Sequence, residues 1–479
     1  MELHEYARYD AVGLRTLIKA GDVTAEEVEA TARKALAAAD EQVNGLALPV
    51  FSPALDHAGD GPFTGVPFLI KDHGPVAEGV PFFLGSRSLP GVVPDHDSDL
   101  MARFRAAGLV TLGLTTSPEM CVSFSTESVR FGTTRNPWDP DRGAGGSSGG
   151  AAALVAAGAV PVAHASDGAG SIRVPASCCG LVGLKPSRGR ITSGPDLGEP
   201  MLGMACEFAL TRTVRDAAHL LDAVCGPGIG DKYTAPPPLR PYAEEIAARP
   251  GRLRVAVTTR AWSGTPVDAE VAAAAIRTGL VLEQAGHLVS EDGPRVDWDA
   301  VMRSWVLEGV ALSSTLLLAP RKPDPAMMEA VSRQFLKVAG EYTAMDMMAA
   351  FDAQNRVTRS VSAFLTEYDL LVTPTLGRLP APHGTLRQDD PGHTLLSWLE
   401  SLADYGPFTV VFNVTGQPAI SLPLGWSGNG LPIGVQIVAA HGREDLLFQV
   451  AAELERAMPW KDRTPPVSAL WPRSYRVQS

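Results

Sequence analysis

The stretch GAGGSSGGAAALVAAGAVPVAHASDGAGSIR, from Gly143 to Arg173, decides what can be expected of this chain. Two serine sites flanked by glycine, GGSSGG at 145–150 and DGAGSIR at 167–173, enclose a run of Ala, Val and Leu. Glycine permits backbone angles and close approaches that other residues avoid. A serine among glycines has an accessible hydroxyl and free N–H groups nearby, which are the nucleophile and oxyanion donors that acyl transfer requires. The pair of clusters therefore predicts a nucleophilic serine site rather than two Gly/Ser loops.

The composition excludes several classes of protein. The chain has 479 residues, of which 45% are hydrophobic and 20% charged, as in ordinary soluble globular proteins. A net charge of −12 and the lack of a Lys/Arg cluster argue against a nucleic-acid surface. The longest run of low polarity, 149–165, is broken by Pro161 and His164 and is too short to span a bilayer. The N-terminal residues MELHEYARYD lack the apolar core of a signal peptide. We expect a cytoplasmic protein without nucleic-acid or membrane partners.

Cysteine usage and familiar motifs give no sign of a metal or cofactor. The 5 cysteines form no CxxC pattern, which argues against a disulfide framework and against a zinc site. The P-loop, the GxGxxG dinucleotide fingerprint and the HExxH motif are all absent from the sequence. We therefore expect reduced cysteines, no metal and no cofactor.

Strand and helix patterns alternate along the chain, without internal repeats. The TAEE sequence at Thr24–Glu27 has the spacing of a capping box, and residues 1–45 are expected to be helical. Further helices are predicted at 97–107, 213–224, 268–285 and 444–454, and 297–370 should be mostly helical. Strands are predicted at 66–70, 110–114, 253–257, 369–375 and 432–440. The pattern predicts an α/β fold, with a mixed β-sheet core covered by α-helices on both faces. Because strands occur near both ends of the chain, we expect one sheet completed by both halves and a single domain over 1–479.

One alternative uses the first serine cluster differently. Residues 145–149 match GxSxG, the nucleophile elbow of α/β-hydrolases. That interpretation requires a later acid and a histidine, for which His383, His393 and His441 are the candidates. It leaves both DGAGSIR and Lys71, which ends the apolar run VPFLI, without a role.

Four motifs in order resemble the amidase signature family: GVPFLIKD, GGSSGG, DGAGSIRVPAS and GLVGLKPSRGR. The resemblance covers nearly the whole chain, with a signature core at roughly 61–225. It implies a mixed sheet between helical layers, with Ser171 as nucleophile, Ser147 as bridging serine and Lys71 as base. It also implies a cis peptide bond between Gly146 and Ser147.

The chemistry that the resemblance implies is physically reasonable. A serine hydroxyl is a weak nucleophile until a neighbour takes its proton. A lysine can take it only when neutral, and burial favours the neutral form. Lys71 follows an apolar segment, so burial is expected there.

The remaining site residues surround the nucleophile. Backbone N–H groups of Gly168, Ala169, Gly170 and Ser171 are the candidate oxyanion donors. Ala169 departs from the family, which commonly has glycine there, and its methyl group should either narrow the oxyanion hole or require ordinary backbone angles. Ser148, Asp167 and Arg173 are candidate supporting residues, and Cys121 is a candidate for the pocket wall.

We expect an amidase that cleaves a small-molecule amide through an acyl-enzyme, using a Ser-Ser-Lys triad. An aryl acylamidase or an ester or carbamate hydrolase with the same triad remains open, as does a glutamine amidotransferase subunit. The segment 297–400 is expected to shape the substrate pocket, and a homodimer is kept open as the assembly.

Overall fold

The computed structural model describes residues 1–319 and 322–469. Its strands are β1 (Val66–Lys71), β2 (Leu109–Thr115), β3 (Glu127–Ser128), β4 (Gly132–Thr133), β5 (Val162–Asp167), β6 (Val182–Lys185), β7 (Cys206–Thr211), β8 (Arg254–Val257), β9 (Leu288–Glu291), β10 (Leu370–Pro374), β11 (Ala419–Trp426) and β12 (Pro432–Ala439).

The α-helices are α1 (Leu3–Tyr6), α2 (Ala11–Ala20), α3 (Ala25–Val43), α4 (Asp99–Ala106), α5 (Gly149–Ala156), α6 (Arg173–Cys179), α7 (Val214–Val224), α8 (Tyr242–Glu245), α9 (Ala269–Gln284), α10 (Trp298–Leu318), α11 (Ala330–Glu341), α12 (Ala344–Glu367), α13 (Leu395–Tyr405), α14 (Val410–Thr415) and α15 (Glu444–Ala457). Short 3₁₀ helices lie at Glu119–Cys121, Pro200–Gly203 and Pro325–Met327.

An eight-stranded mixed sheet runs in the order β5-β7-β6-β11-β12-β10-β8-β9. Its strands come from both halves of the chain, with β11 joining β6 to β12 in antiparallel pairs. The parallel pairs β10–β8 and β8–β9 extend one end of the sheet. This mixed α/β architecture confirms the fold class predicted from the sequence.

The first two strands depart from the expectation of a single sheet. β1 and β2 pair with each other in parallel and form a separate two-stranded sheet. β1 packs beside β5, and the side chains of Lys71 and Ser166 join them by a hydrogen bond of 2.9 Å between Nζ and Oγ. The two sheets therefore meet through side chains, at the place where the serine motifs lie.

Helices cover both faces of the large sheet, and two glycines show how closely they approach. A Cβ atom at Gly434 of β12 would lie 2.5 Å from the Ser177 side chain on α6. A Cβ atom at Gly425 of β11 would lie 2.6 Å from Ala274 of α9. Gly425 pairs with Ile433, and successive residues of a strand point to opposite faces, so α6 and α9 lie on opposite sides.

Local signals predicted the helix starts well. Thr24 and Glu27 form the reciprocal capping box, with Glu27 N–H donating to Thr24 Oγ1 over 3.1 Å and Thr24 N–H to Glu27 Oε2 over 2.9 Å. Thr213 caps α7 by accepting from the Asp216 N–H over 3.2 Å.

The described residues of 297–370 include α10, α11 and α12, in keeping with the expectation of mostly helical structure. α10 is long and apolar enough to cross a membrane by length and composition alone, but half of its most apolar window is buried inside the protein. It packs against α11, α12, α13 and α14. These contacts are those of a core helix.

The contact between α10 and α11 should be sensitive to a single methyl group. A methyl group on Gly309 of α10 would overlap the ring of Phe335 on α11. We expect Gly309→Ala to lower the free energy of unfolding by about 1–3 kcal/mol, the usual effect of overpacking a core. Thermal and urea unfolding followed by circular dichroism measure this effect.

Gly340, on the exposed side of α11, is the matched control. No atom lies within 4 Å of the position that its Cβ would occupy. Gly340→Ala should therefore raise stability by about 0.5–1 kcal/mol through helix propensity alone. Equal effects of the two substitutions would contradict the close packing of α10 on α11.

Candidate active site

Lys71 occupies the last position of β1, a strand whose six residues are all buried. Its ammonium nitrogen donates to Ser147 Oγ over 2.7 Å and to Ser166 Oγ over 2.9 Å. The apolar sequence VPFLI thus carries the lysine into the interior, where two hydroxyl groups hold it.

Burial lowers the pKa of Lys71, because removal from water disfavours the ammonium form. Negative charge at Cys121, Glu207 and Asp167 would act in the opposite direction. No carboxylate lies within ion-pair distance of Lys71 in the described part of the chain, so the burial effect prevails. Burial therefore favours the neutral amine, which is the form that can accept a proton.

The GGSSGG motif presents Ser147 to that lysine. The peptide bond between Gly146 and Ser147 is cis, as the family resemblance implies. A Cβ atom at Gly146 would lie 2.8 Å from the backbone of Ser123 and of Ser125, so only glycine fits there. Ser148 Oγ donates to Ser166 O over 3.3 Å and accepts from Ser166 N–H over 3.4 Å, which ties the motif to β5.

The loop 167–171 turns out of β5 and ends at Ser171. Among the described residues, the N–H groups of 168–171 donate to no acceptor, whereas those of Ile172 and Arg173 donate to Asp167 Oδ2. Gly168, Ala169 and Ser171 line a cavity of about 840 Å³. Free amides beside a serine in a cavity wall are the arrangement that stabilises an oxyanion.

Gly170 is required by its backbone angle, whereas Gly168 is in close contact with a flexible side chain and Ala169 is unconstrained. Gly170 has a φ of 149°, and a Cβ atom there would lie 2.5 Å from Thr409 Oγ1. A methyl group at Gly168 would overlap the carboxyl group of Glu308. Ala169 is absent from the residues with positive φ, so the loop accommodates its methyl group with ordinary backbone angles.

A buried ion pair holds the loop in place. Arg173 Nε donates to Asp167 Oδ2 over 2.9 Å, and Arg173 Nη2 donates to Asp167 Oδ1 over 2.8 Å. Asn413 Nδ2 donates to the same Oδ1 over 2.8 Å, and its Oδ1 accepts from Arg173 over 2.6 Å. Burial alone would raise the pKa of Asp167, but the charge of Arg173 lowers it to about 2. Asp167 and Arg173 are therefore charged and fully buried structural supports of the serine loop.

The structure brings the other candidates to the same cavity. Cys121 lies in its wall, as do Ser147, Ser166 and Ser171. Ser171 Oγ makes no hydrogen bond within the described ranges, and faces the cavity. The pocket wall also includes parts of α10, α11, α12 and α13. The role of 297–400 in substrate choice stays a prediction.

The histidines required by the nucleophile-elbow interpretation lie elsewhere. His383 contacts the backbone oxygen of Pro140 and His441 that of Arg188, while His393 contacts Ser397. None of the three lines the cavity. Ser147 is hydrogen-bonded to a lysine instead.

Four polar residues of the site escaped the sequence analysis: Ser166, Glu207, Glu308 and Asn413. Ser166 directly precedes Asp167 at the end of β5. Its position beside the DGAGSIR motif was the signal in the sequence that could have identified it. Glu207 and Glu308 line the cavity from β7 and α10. Burial raises the pKa of Glu207 to about 7. No motif marks either carboxyl group in the sequence.

No group of three or more His, Cys, Asp and Glu side chains in residues 1–319 and 322–469 is arranged to hold a metal ion.

The family model named Amidase matches residues 26–448 of the chain. The chain is 39% identical to a 6-aminohexanoate-cyclic-dimer hydrolase of Paenarthrobacter ureafaciens, over 95% of this chain and 96% of that protein. It is 40% identical to the enzyme of the same name from Pseudomonas sp. (strain NK87), with the same coverage of 95% and 96%. The solved structure of a 6-aminohexanoate cyclic dimer hydrolase superimposes with a TM-score of 0.90 at 38% identity, covering 96% of this chain and 99% of that one.

Fold, family match and relatives agree on one class: the chain belongs to the amidase family. It is a hydrolase that acts on amide bonds, and among the relatives named here it is similar to hydrolases of a cyclic amide dimer.

Asp167 should make a stability contribution that depends on pH. In Asp167→Asn the buried Arg173 keeps its charge without a charged partner, so we expect a loss of about 3–5 kcal/mol at pH 7. Because the pKa of Asp167 is depressed in the folded state, the wild-type advantage is complete above the unfolded value of about 3.9. It is lost as pH falls towards about 2.

Urea unfolding of both proteins between pH 7 and pH 2 tests this expectation. The stability difference should be constant above about pH 5 and should narrow below about pH 4. Asp22→Asn, which removes an exposed carboxylate, is the control and should change stability by less than about 0.5 kcal/mol. A difference that stays constant down to pH 2 would mean that the pKa of Asp167 is the same in the folded and the unfolded protein, and would contradict the depressed pKa.

Proposed function

We propose that this amidase cleaves amide bonds through an acyl-enzyme on Ser171, with Ser147 and Lys71 completing the triad, and that amides of 6-aminohexanoate are among its substrates. The observation that carries the proposal is the buried hydrogen bond of 2.7 Å between Lys71 Nζ and Ser147 Oγ, beside Ser171 and unpaired backbone amides. The substrate class rests on the identity of 39–40% to the cyclic-dimer hydrolases over nearly the whole chain.

In the proposed reaction, neutral Lys71 accepts the proton of Ser147 as Ser147 takes the proton of Ser171. Ser171 Oγ then forms a bond to the substrate carbonyl carbon, and the carbonyl oxygen becomes an oxyanion. The free N–H groups of 168–171 donate to that oxyanion, which is the largest expected electrostatic contribution. When the intermediate collapses, the C–N bond breaks and the leaving nitrogen receives the proton back through Ser147.

Water resolves the acyl-enzyme by the same path in reverse. It attacks the ester carbon of acylated Ser171 while Ser147 and Lys71 take its proton. The C–O bond to Ser171 then breaks, and the proton returns to Ser171. The product is a carboxylic acid, and the triad is restored.

The proposal needs no metal or cofactor, and it retains the cytoplasm as the place of action. In the part of the chain that the structure describes, all five cysteines are free, which suits a reducing compartment. Esters, carbamates and anilides offer the same acyl chemistry, and glutamine hydrolysis would point instead to an amidotransferase subunit. These substrates therefore belong in the same assay.

Substitution of Ser171 tests the nucleophile. We expect wild-type protein to release amine from 6-aminohexanoate cyclic dimer, and Ser171→Ala to lower kcat by roughly a thousandfold or more. Ser314, a second serine in the cavity wall, provides the matched control, and Ser314→Ala should retain activity. Hydrolysis of glutamine in preference to the dimer would overturn the proposed substrate class.

Covalent labelling gives an independent test of the same residue. A fluorophosphonate should modify Ser171, as mapped by peptide mass spectrometry, because its hydroxyl faces the cavity without a hydrogen-bond partner among the described residues. An adduct on Ser147 or Ser148, with Ser171 free, would favour the nucleophile-elbow mechanism instead.

The pH profile tests Lys71. The active form needs the neutral amine, so kcat/KM should rise with pH through the lowered pKa of Lys71 and reach a plateau. In Lys71→Ala this limb should disappear, and the remaining rate should follow hydroxide. Circular dichroism verifies that the variant is folded. A folded, partly active Lys71→Ala with an unchanged limb would remove the lysine from the mechanism.

A further inference from the structure

Glu308 is a buried carboxyl group for which the proposed reaction has no use. It lies on α10 in the wall of the active-site cavity, and only 6% of its surface is exposed. Its Oε2 atom is buried and has no hydrogen-bond partner, and no basic side chain in the described ranges forms an ion pair with it. Burying such a group without a partner is unfavourable by about 1–3 kcal/mol. A buried polar group without a partner requires an explanation, and a ligand that supplies the partner is one.

The carboxyl group abuts the serine loop. A methyl group at Gly168 would overlap Glu308 Oε1 and would lie 3.0 Å from Met201 Sδ. Gly168 also carries one of the free N–H groups of the proposed oxyanion site. Any substrate whose carbonyl oxygen reaches that site therefore passes close to Glu308.

Glu308 has no basic side chain as a partner among the described residues. Burial, and secondly the negative charge of Asp167, raise the pKa of Glu308 to about 8. Asp167 is the charged residue that acts on it, and the charge of Asp167 is already matched by Arg173. Met201, Trp305 and Phe335 also line the cavity and are uncharged, and the other carboxyl groups in its wall are those of Asp196, Glu199 and Glu207. An ammonium group is therefore the ligand chemistry that would complete this site.

We propose that Glu308 is a specificity-determining residue that binds a protonated primary amine of the substrate. The inference rests on the proposed function, since it assigns a substrate group to the same cavity. It selects open-chain amides with an alkylammonium arm, whose methylene groups pack against the apolar wall while the amine reaches Glu308. The cyclic dimer has no free amine, and gains one only when acylation of Ser171 opens its ring. On binding near neutral pH, Glu308 releases one proton to solvent, and the carboxylate then accepts charge-assisted hydrogen bonds from the ammonium.

Calorimetric titration with hexylamine tests the site without relying on turnover. Hexylamine should bind to the wild-type protein at pH 7 and release close to one proton, measured in two buffers of different ionisation enthalpy. Glu308→Gln keeps the shape of the side chain but removes the charge. We expect this substitution to raise the Kd of hexylamine by about tenfold or more, which is the minimum for a buried charge pair that loses one partner. It should also abolish proton release on binding.

Two controls separate this effect from general damage. 1-Hexanol has nearly the same shape without charge, and it should bind Glu308→Gln at least as well as it binds the wild type. Asp299→Asn removes an exposed carboxylate from the same helix, about 13 Å away along its axis, and should leave hexylamine binding unchanged. Glu308→Leu should show the same loss of affinity for hexylamine, and it should bind hexanol more tightly than the wild type does.

The outcomes are distinct. Equal loss of hexylamine and hexanol in Glu308→Gln, unchanged hexylamine binding, or binding without proton release would each overturn the proposal. Failure of the wild type to bind hexylamine would also overturn it. A Glu308→Gln protein that binds hexanol normally is folded, so its loss of hexylamine binding would support the amine site.

Turnover of two 4-nitroanilides distinguishes the proposed role of Glu308 from the proposed amidase function. The 6-aminohexanoyl and heptanoyl anilides differ in an ammonium and a methyl group, and Glu308→Gln should lower their kcat/KM ratio by about tenfold or more. Hydrolysis of both with an unchanged ratio contradicts the role of Glu308 but leaves the amidase proposal intact. Charge-dependent binding of hexylamine without hydrolysis of either anilide or of the cyclic dimer contradicts the proposed function alone.

Discussion

The burial of Lys71 is the constraint on which the rest of the site depends. An ammonium group at the end of a buried strand is stable only if polar groups meet it, and Ser147 and Ser166 provide those groups at 2.7 and 2.9 Å. These contacts join β1 to the GGSSGG motif and to β5, although β1 belongs to a different sheet. The same burial that demands these partners also lowers the pKa of the lysine. The burial of Lys71 at the end of β1 therefore accounts both for its structural contacts and for its chemical reactivity.

A second buried group, the Asp167–Arg173 pair, links the serine loop to the far half of the chain. Arg173 donates to the backbone oxygen of Thr409 over 2.8 Å and to Gln436 Oε1 over 2.7 Å, in addition to Asp167 and Asn413. A guanidinium with its donors so occupied is held rigidly. The ion pair alone is weak evidence for stability, because desolvation opposes it. The geometric role of the pair is clearer. Asp167 Oδ2 accepts hydrogen bonds from the N–H groups of Ile172 and Arg173, whereas the N–H groups of 168–171 have no acceptor among the described residues.

The helical layer built from 297–405 supplies what the signature motifs lack. Its helices close the cavity with apolar side chains and add the carboxyl group of Glu308. The cavity consequently has two sides of different character. One side carries hydroxyls and free amides from the first half of the chain, with Lys71 buried behind Ser147. The other side carries an apolar wall with one buried carboxyl group. The first side is suited to bond cleavage, and the second to the choice of what is cleaved.

The sequence by itself determined those features that depend on neighbours along the chain. Capping at Thr24, the strand that ends in Lys71 and the glycines around Ser147 and Ser171 are local patterns, and their order sufficed to identify the family. Local patterns could not predict which residues from distant parts of the chain meet at the site. Ser166, Glu207 and Asn413 are ordinary polar residues in ordinary elements, and only the tertiary structure shows that each faces the site. Glu308 is the clearest case, because nothing near it in sequence predicts an unpartnered carboxyl group. Its significance comes from the packing of α10 across the loop at Gly168, a contact between residues 140 positions apart, and burial and missing partners are properties of such contacts alone.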